Sequence, residues 1–166
     1  MLGLELNHGM REILIDHLST ECLIVSMENE MSSFSEMARR NRNAKRKSLS
    51  TTFDQISIFL PEKWERVVVY LEYGEDSFSC SFYVKKDGEY LKCYDLPEVS
   101  EASLINAFKQ IDKVVQAERE KAKGELWSNM TMIVDNEGNM HTDFDYTDLS
   151  VGSYKYSKKW KSQYLK

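Results

Sequence analysis

The hydrophobic periodicity predicts an α+β fold in which an antiparallel sheet of about five strands, a meander plus a hairpin, packs against helices, with a helical N-terminal extension. Three observations carry this expectation. A β-branched and aromatic run from Arg66 to Tyr73 is followed by apolar–polar alternation from Ser77 to Val84, an apolar stripe at helical spacing runs from Leu104 to Val115, and alternation returns between Met130 and Tyr146. Alternation at period two marks half-buried strands, and spacing near 3.6 marks an amphipathic helix.

Taken in order, Met10, Ile13, Leu14, Leu18, Cys22 and Val25 recur at helical spacing, which predicts a helix from about Gly9 to Val25. Glu28 to Ser50 is polar and contains the basic run Arg39, Arg40, Arg42, Lys45, Arg46 and Lys47, read as a solvated helix face or linker. Residues 1–49 are thus an extension, and 50–166 form the main domain. Thr52 followed by Gln55 resembles a capping box opening a short helix that buries Phe53, Ile56 and Leu60 and stops at Pro61. Arg66 to Tyr73 is a β-branched and aromatic run, followed after a Gly74-Glu75-Asp76 turn by Phe78, Cys80, Phe82 and Val84 alternating with Ser77, Ser79, Ser81 and Tyr83. Asp87-Gly88 suits a tight hairpin turn, because both central residues must reach positive φ, and Tyr90 to Tyr94 supplies a third strand.

Ser100 can cap a long helix carrying Leu104, Phe108, Ile111 and Val115, with Gly124 as its stop. Met130, Met132 and Val134 alternate next. After the Asn136–Asn139 turn, Met140, Thr142, Phe144 and Tyr146 alternate against His141, Asp143 and Asp145, a second hairpin with an acidic outer face. Trp160 and Tyr164, four residues apart among Lys155, Lys158, Lys159 and Lys161, read as a short amphipathic helix.

Composition narrows the function classes. Lys and Arg total 22 against 27 Asp and Glu, a net charge of -5, which disfavours a general nucleic-acid binder because phosphate neutralisation needs a basic excess. A basic partner is more natural, and opposite charge would speed the encounter. Cys22, Cys80 and Cys93 form no C-x-x-C pair, so reduced thiols and a cytoplasmic location are expected. No stretch approaches the length of a membrane span, so no membrane association is expected.

A phosphate-binding glycine loop is absent, and neither a serine elbow nor a Cys–His pairing stands out, since His8, His17 and His141 are the only histidines. The chain is therefore expected not to be an enzyme and to need no cofactor. The one constellation that could hold a metal is His141, Asp143 and Asp145, at i, i+2 and i+4 of one strand. A metal-dependent hydrolase using that face is the first alternative. The second makes the Arg39 to Lys47 run a nucleic-acid contact on a regulatory module. Asp135 to Asn139 lacks the glycine position and the bidentate glutamate of a calcium loop and is read as a turn. Trp64, Trp127 and Trp160 stand at element boundaries, where indole rings pack into core or rim or anchor an interface. Strand parity turns Tyr83 away from Phe82.

Several motifs then occur together: Pro61-Glu62-Lys63-Trp64, the stretch Leu126-Trp127-Ser128-Asn129-Met130-Thr131-Met132-Ile133-Val134, Gly138, Asp143-Phe144-Asp145-Tyr146, and Trp160 through Tyr164-Leu165. Between about Ser50 and Leu165 the chain resembles the YezG-like family of bacterial immunity proteins. The resemblance implies an antitoxin that binds the toxic domain of a polymorphic secreted effector, often a nuclease, in bacterial competition. It implies neither cofactor nor turnover. On this reading Asp135, Glu137, Asp143, Asp145 and Asp148 are the candidate acidic contacts to a basic toxin, with Tyr83 and Trp127 as aromatic contacts, in a protein that is a monomer or weak homodimer.

Overall fold

The computed structural model describes residues 30–33, 35–40, 42–43, 46–121, 126–150 and 152–166. The chain divides into two compact units, residues 1–45 and 46–166. In the first, the described residues are helical, and Arg39, Arg40 and Arg42 are exposed, with Arg40 paired to Glu36 at 2.8 Å. The helix expected over Gly9 to Val25 lies outside the described residues.

The second unit opens with helix α1 (46–57). Thr52 does not cap it. Its hydroxyl donates to the Ser48 carbonyl at 3.0 Å from inside the helix, an alternative that Ser and Thr have whenever the preceding turn is already helical. Five strands follow: β1 Arg66–Tyr73, β2 Phe78–Lys86, β3 Glu89–Lys92, β4 Asn129–Asp135 and β5 Met140–Asp145. They form one antiparallel sheet in the order β3-β2-β1-β4-β5, the predicted meander and hairpin joined through β1. Asp87 at φ 52° and Gly88 at φ 82° make the β2–β3 turn, as the Asp-Gly dipeptide requires. Strand β3 stops at Lys92, two residues short of the expected end. Cys93–Asp95 is instead a 3-10 turn with Cys93 fully buried.

Helix α2 spans Glu101–Arg119, and the Ser100 hydroxyl accepts from the Ser103 N–H at its N-terminus. It ends at Arg119 with Glu120 as its C-cap, and the expected stop at Gly124 lies outside the described residues. Leu104, Phe108, Ile111 and Val115 join Ile56 of α1 and Val67, Val69, Leu71, Phe82, Val84, Met130, Met132 and Val134 in one core on the first face of the sheet. The register places these side chains side by side: Val69 pairs with Phe82 on one flank and Met132 on the other.

The second face has its own core. Val68, Tyr70 and Tyr83 are buried there with Trp160 of helix α3 (Ser153–Tyr164), and Ile133, Tyr156 and Tyr164 pack around them. This explains why β1 does not alternate: from Val67 to Leu71 every residue is buried, as happens when both faces of a central strand are covered. Trp160 meets Tyr70 edge-on, with ring centroids 4.7 Å apart. Its indole N–H donates to the Thr131 hydroxyl at 2.7 Å. Thr131 in turn donates to the Asn129 side-chain oxygen, and the Asn129 amide donates to the Leu71 carbonyl. Both residues are almost wholly buried, so each link removes a polar group that would otherwise be costly.

Truncating Trp160 should therefore release α3. Trp160→Ala is expected to lower stability by about 3–5 kcal/mol, measured by urea unfolding, with loss of helical far-ultraviolet signal preceding loss of the sheet.

Candidate functional site

Helix α3 divides the second sheet face into two flanks that differ in chemistry. On the β4–β5 flank lies a groove of about 370 Å³ bounded by Asn129, Thr131, Asp143, Asp145, Tyr156 and Tyr164. The polar groups of its floor are committed to one another, while Lys155, Lys159 and Gln163 stand at its edge. The Tyr156 hydroxyl donates to Asp145 Oδ2 at 3.0 Å, and the Tyr164 hydroxyl donates to Asp143 Oδ2 at 3.1 Å. Asp145 Oδ1 also accepts the Thr147 N–H and hydroxyl. The spacing of Tyr156, Trp160 and Tyr164, one helical turn apart, matches that of Asp145, Thr131 and Asp143 beneath them. Burial, followed by the carboxylate it bonds, raises the Tyr156 phenol above its ordinary value, and Tyr164 is raised for the same two reasons. Both phenols stay neutral donors. Asp145 is held below the usual carboxylate range, chiefly by the Thr147 hydroxyl, with the Thr147 N–H and Tyr156 adding to it against some desolvation.

The acidic residues singled out from sequence thus fall into distinct positions. Asp143 and Asp145 are half-buried beneath α3. Asp135 organises the β4–β5 turn, accepting the N–H groups of Glu137 and Asn139 and the Asn139 side chain. Asp148 accepts the Ser150 N–H. Glu137, at the turn beside Gly138 with its φ of 86°, is exposed, and among the described residues its carboxylate accepts only from the Asn139 side chain, at 3.4 Å. Tyr83 does point away from Phe82, yet only 8% of it is accessible because Trp160 covers it. Trp127 is also 8% accessible, held among Tyr73 and Phe144 with the Arg119 guanidinium over its ring. Arg119 further donates to the Trp127 carbonyl. Neither aromatic offers a partner much surface.

His141 Nε2 lies 2.9 Å from Asp143 Oδ1, but Asp145, next on that side of β5, spends its oxygens on Thr147 and Tyr156. Among the described residues no three His, Cys, Asp or Glu side chains converge as metal ligands. Cys80 and Cys93 are buried, and burial pushes both thiols up, with the Cys93 thiol adding to that effect at Cys80. A thiol so placed is a poor source of the thiolate nucleophile. Cys22, His8 and His17 lie outside the described residues. Among those residues no helix is long and apolar enough to cross a membrane.

On the β1–β3 flank lies a second groove, of about 410 Å³, which the sequence did not single out. Tyr70, Ser79, Ser81 and Tyr83 form its floor, and Lys92, Tyr94, Tyr154 and Lys161 stand around it. Its signal was present: Ser79 and Ser81 share the strand face of Tyr83, an unusually small, uncharged set for a solvent face.

The family model "Immunity protein YezG-like" matches residues 49–166. Two relatives, each named "Immunity protein YezG", are similar over 104 residues. The protein from Bacillus spizizenii (strain ATCC 23059 / NRRL B-14472 / W23) is 32% identical, the match covering 58% of this chain and 65% of the relative. That from Bacillus subtilis (strain 168) is 19% identical, the match covering 58% of this chain and 69% of the relative.

Because Asp145 has a lowered pKa, its contribution to stability is present above the unfolded carboxylate value of about 3.9 and is lost as pH falls through the folded value. Asp145→Ala is expected to cost about 1–2 kcal/mol at neutral pH and to flatten the stability loss below about pH 4, both read from urea midpoints across a pH series.

Proposed function

Since the chain belongs to the YezG-like family of immunity proteins, we propose that it protects its producer by forming a stoichiometric complex with a cognate toxin domain, without turnover. The observation that carries this reading is the family match over residues 49–166, which takes in the whole sheet together with α2 and α3. The chemistry of the described residues is in keeping with binding. Carboxylates and phenols are tied to one another, and the thiols are buried.

The proposed target is a basic toxin domain, a nuclease, met in the cytoplasm by a monomer or weak homodimer. A nuclease cleft collects Lys and Arg to hold phosphates, and an acidic protein of net charge -5 is attracted to it at long range. Glu137 at the β4–β5 turn is the contact carboxylate least engaged in holding the fold, while Asp135, Asp143, Asp145 and Asp148 add charge from positions fixed by hydrogen bonds. Fixed carboxylates lose little freedom on binding, which favours affinity. Protection against a lethal partner calls for nanomolar binding, about -12 kcal/mol.

Co-expression with the toxin domain encoded beside this chain's gene tests the reading. Survival and a one-to-one complex are expected, whereas cell death with no recoverable complex refutes it. Glu137→Lys is expected to leave the unfolding midpoint unchanged and to slow association several-fold at low salt, the difference shrinking as salt screens it; stopped-flow association kinetics measure this.

A further inference from the structure

We propose that the groove between α3 and strands β1–β3 is the principal docking pocket for the toxin domain, and that it seats an acidic segment of that partner. The inference rests on the reading of this chain as a toxin-binding immunity protein and assigns the contact to the flank opposite the carboxylates.

The floors of the two flanks differ in how far their polar groups are satisfied, although Lys155, Lys159 and Gln163 at the edge of the β4–β5 groove make no hydrogen bond or ion pair among the described residues. Beneath the β4–β5 flank, Tyr156, Tyr164, Trp160, Thr131 and Asn129 all have partners within the fold. Around the other groove, the hydroxyls of Ser79, Ser81, Tyr83, Tyr94, Tyr154 and Ser157 make no hydrogen bond with any described residue, although all six line one concavity. Lys92 and Lys161 stand at its walls and have no ion pair among the described residues. The charge of the Glu72 carboxylate, also in the groove, is engaged by the Tyr70 hydroxyl.

Tyrosine and serine around a concave site form a surface well suited to protein recognition. Tyrosine brings large area with few rotors, and serine adapts its hydrogen bond to what arrives. Tyr154 is 80% exposed and Tyr94 48% exposed, so two aromatic side chains are available to be covered, in the residue class that dominates interface hot spots. The lysines choose the occupant. Two ammonium groups without an ion pair among the described residues, that of Lys92 lying 5.2 Å over the Tyr94 ring, and a set of hydroxyl donors match carboxylate side chains and main-chain carbonyls and repel a basic segment. Across α3 the β4–β5 groove carries Asp143, Asp145 and Asp148 beside Lys155 and Lys159, whereas this one carries Lys92 and Lys161 beside Glu72, so carboxylates are in the majority on one flank and lysines on the other. A toxin presenting its basic cleft to one flank and an acidic segment to the other can dock in one orientation only, which is how complementary charge fixes register.

The test uses the full chain and an inactivated form of the toxin domain encoded beside its gene, with affinity measured by calorimetry. The variants are Lys92→Glu with Lys161→Glu and, separately, Tyr154→Ala. Lys161 and Tyr154 are exposed and Lys92 is half-buried on β3 with its ammonium over the Tyr94 ring; none of the three side chains makes an ion pair or hydrogen bond among the described residues, so the unfolding midpoints of both variants should stay close to the wild type. Each is expected to weaken the complex about tenfold or more, and Lys→Glu should cost more at low salt than at high salt. Wild-type affinity in both variants overturns the groove assignment while leaving immunity by binding intact. If the wild-type chain itself forms no complex, the functional reading falls and this inference with it. Light scattering on the free chain provides the remaining arm: a dimer that Lys92→Glu/Lys161→Glu dissociates would make a second copy the occupant and overturn the assignment.

Discussion

The seating of Trp160 on the sheet is the interaction on which the rest of the second face depends. Its indole N–H ends a chain of hydrogen bonds through Thr131 and Asn129 to the Leu71 carbonyl, so the helix is anchored to the backbone of the central strand and not merely laid over it. Burial of a tryptophan supplies area; the chain of donors supplies position. A helix of 12 residues has few other ways to hold one rotation about its axis. With Trp160 fixed, Tyr156 and Tyr164 fall one turn away on each side, within reach of Asp145 and Asp143.

That geometry separates two roles that a strand of carboxylates can have. An exposed carboxylate on an edge strand works through its charge alone, while one that accepts a tyrosine hydroxyl also holds the fold together. Asp143 and Asp145 have both roles, because neutral phenols donate to them without cancelling their charge. The β4–β5 flank can therefore stay acidic and rigid together. Across α3 the balance is reversed: the hydroxyls of Ser79, Ser81, Tyr94 and Tyr154 make no hydrogen bond among the described residues, and Lys92, over the Tyr94 ring, and Lys161 bring charge without an ion pair among them. One helix thus separates a floor whose polar groups are satisfied internally from one whose hydroxyls remain available.

The strands were legible because each carries period-two alternation or a turn signal that needs no tertiary context. Phe78, Cys80, Phe82 and Val84 alternate with serines, and Asp87-Gly88 specifies its own backbone. Ser100 as a cap and the α2 stripe were legible for the same reason. The capping box at Thr52 misled because the same residues fit a helix interior, where a threonine hydroxyl can bond the preceding turn instead. The position of α3 was not legible. Its apolar stripe announces that it packs, but an amphipathic helix does not say which sheet face receives it, and the acidic face of β5 looked like a face left to water. The unbroken apolar run of β1 held the missing information, since a central strand buried on both sides requires a second cover. The same omission concealed the β1–β3 groove, whose far wall is α3 itself, and made Tyr83 look available to a partner.

The proposed immunity by binding requires an interface that is already shaped, because every side chain ordered on association subtracts from affinity. The sheet meets this requirement through its central strand: Val67 to Leu71 are locked from both sides, by α1 and α2 on one face and by Trp160 on the other, so strands β2 and β4 flanking β1 cannot shift without disturbing two cores. The groove floor lies on β1 and β2, while the acidic flank rises from β4 and β5. Both are consequently referenced to the same strand. In the proposed complex, rigidity between them would let the two flanks act as a single recognition pattern, since a partner would have to match their spacing as well as the sign of each.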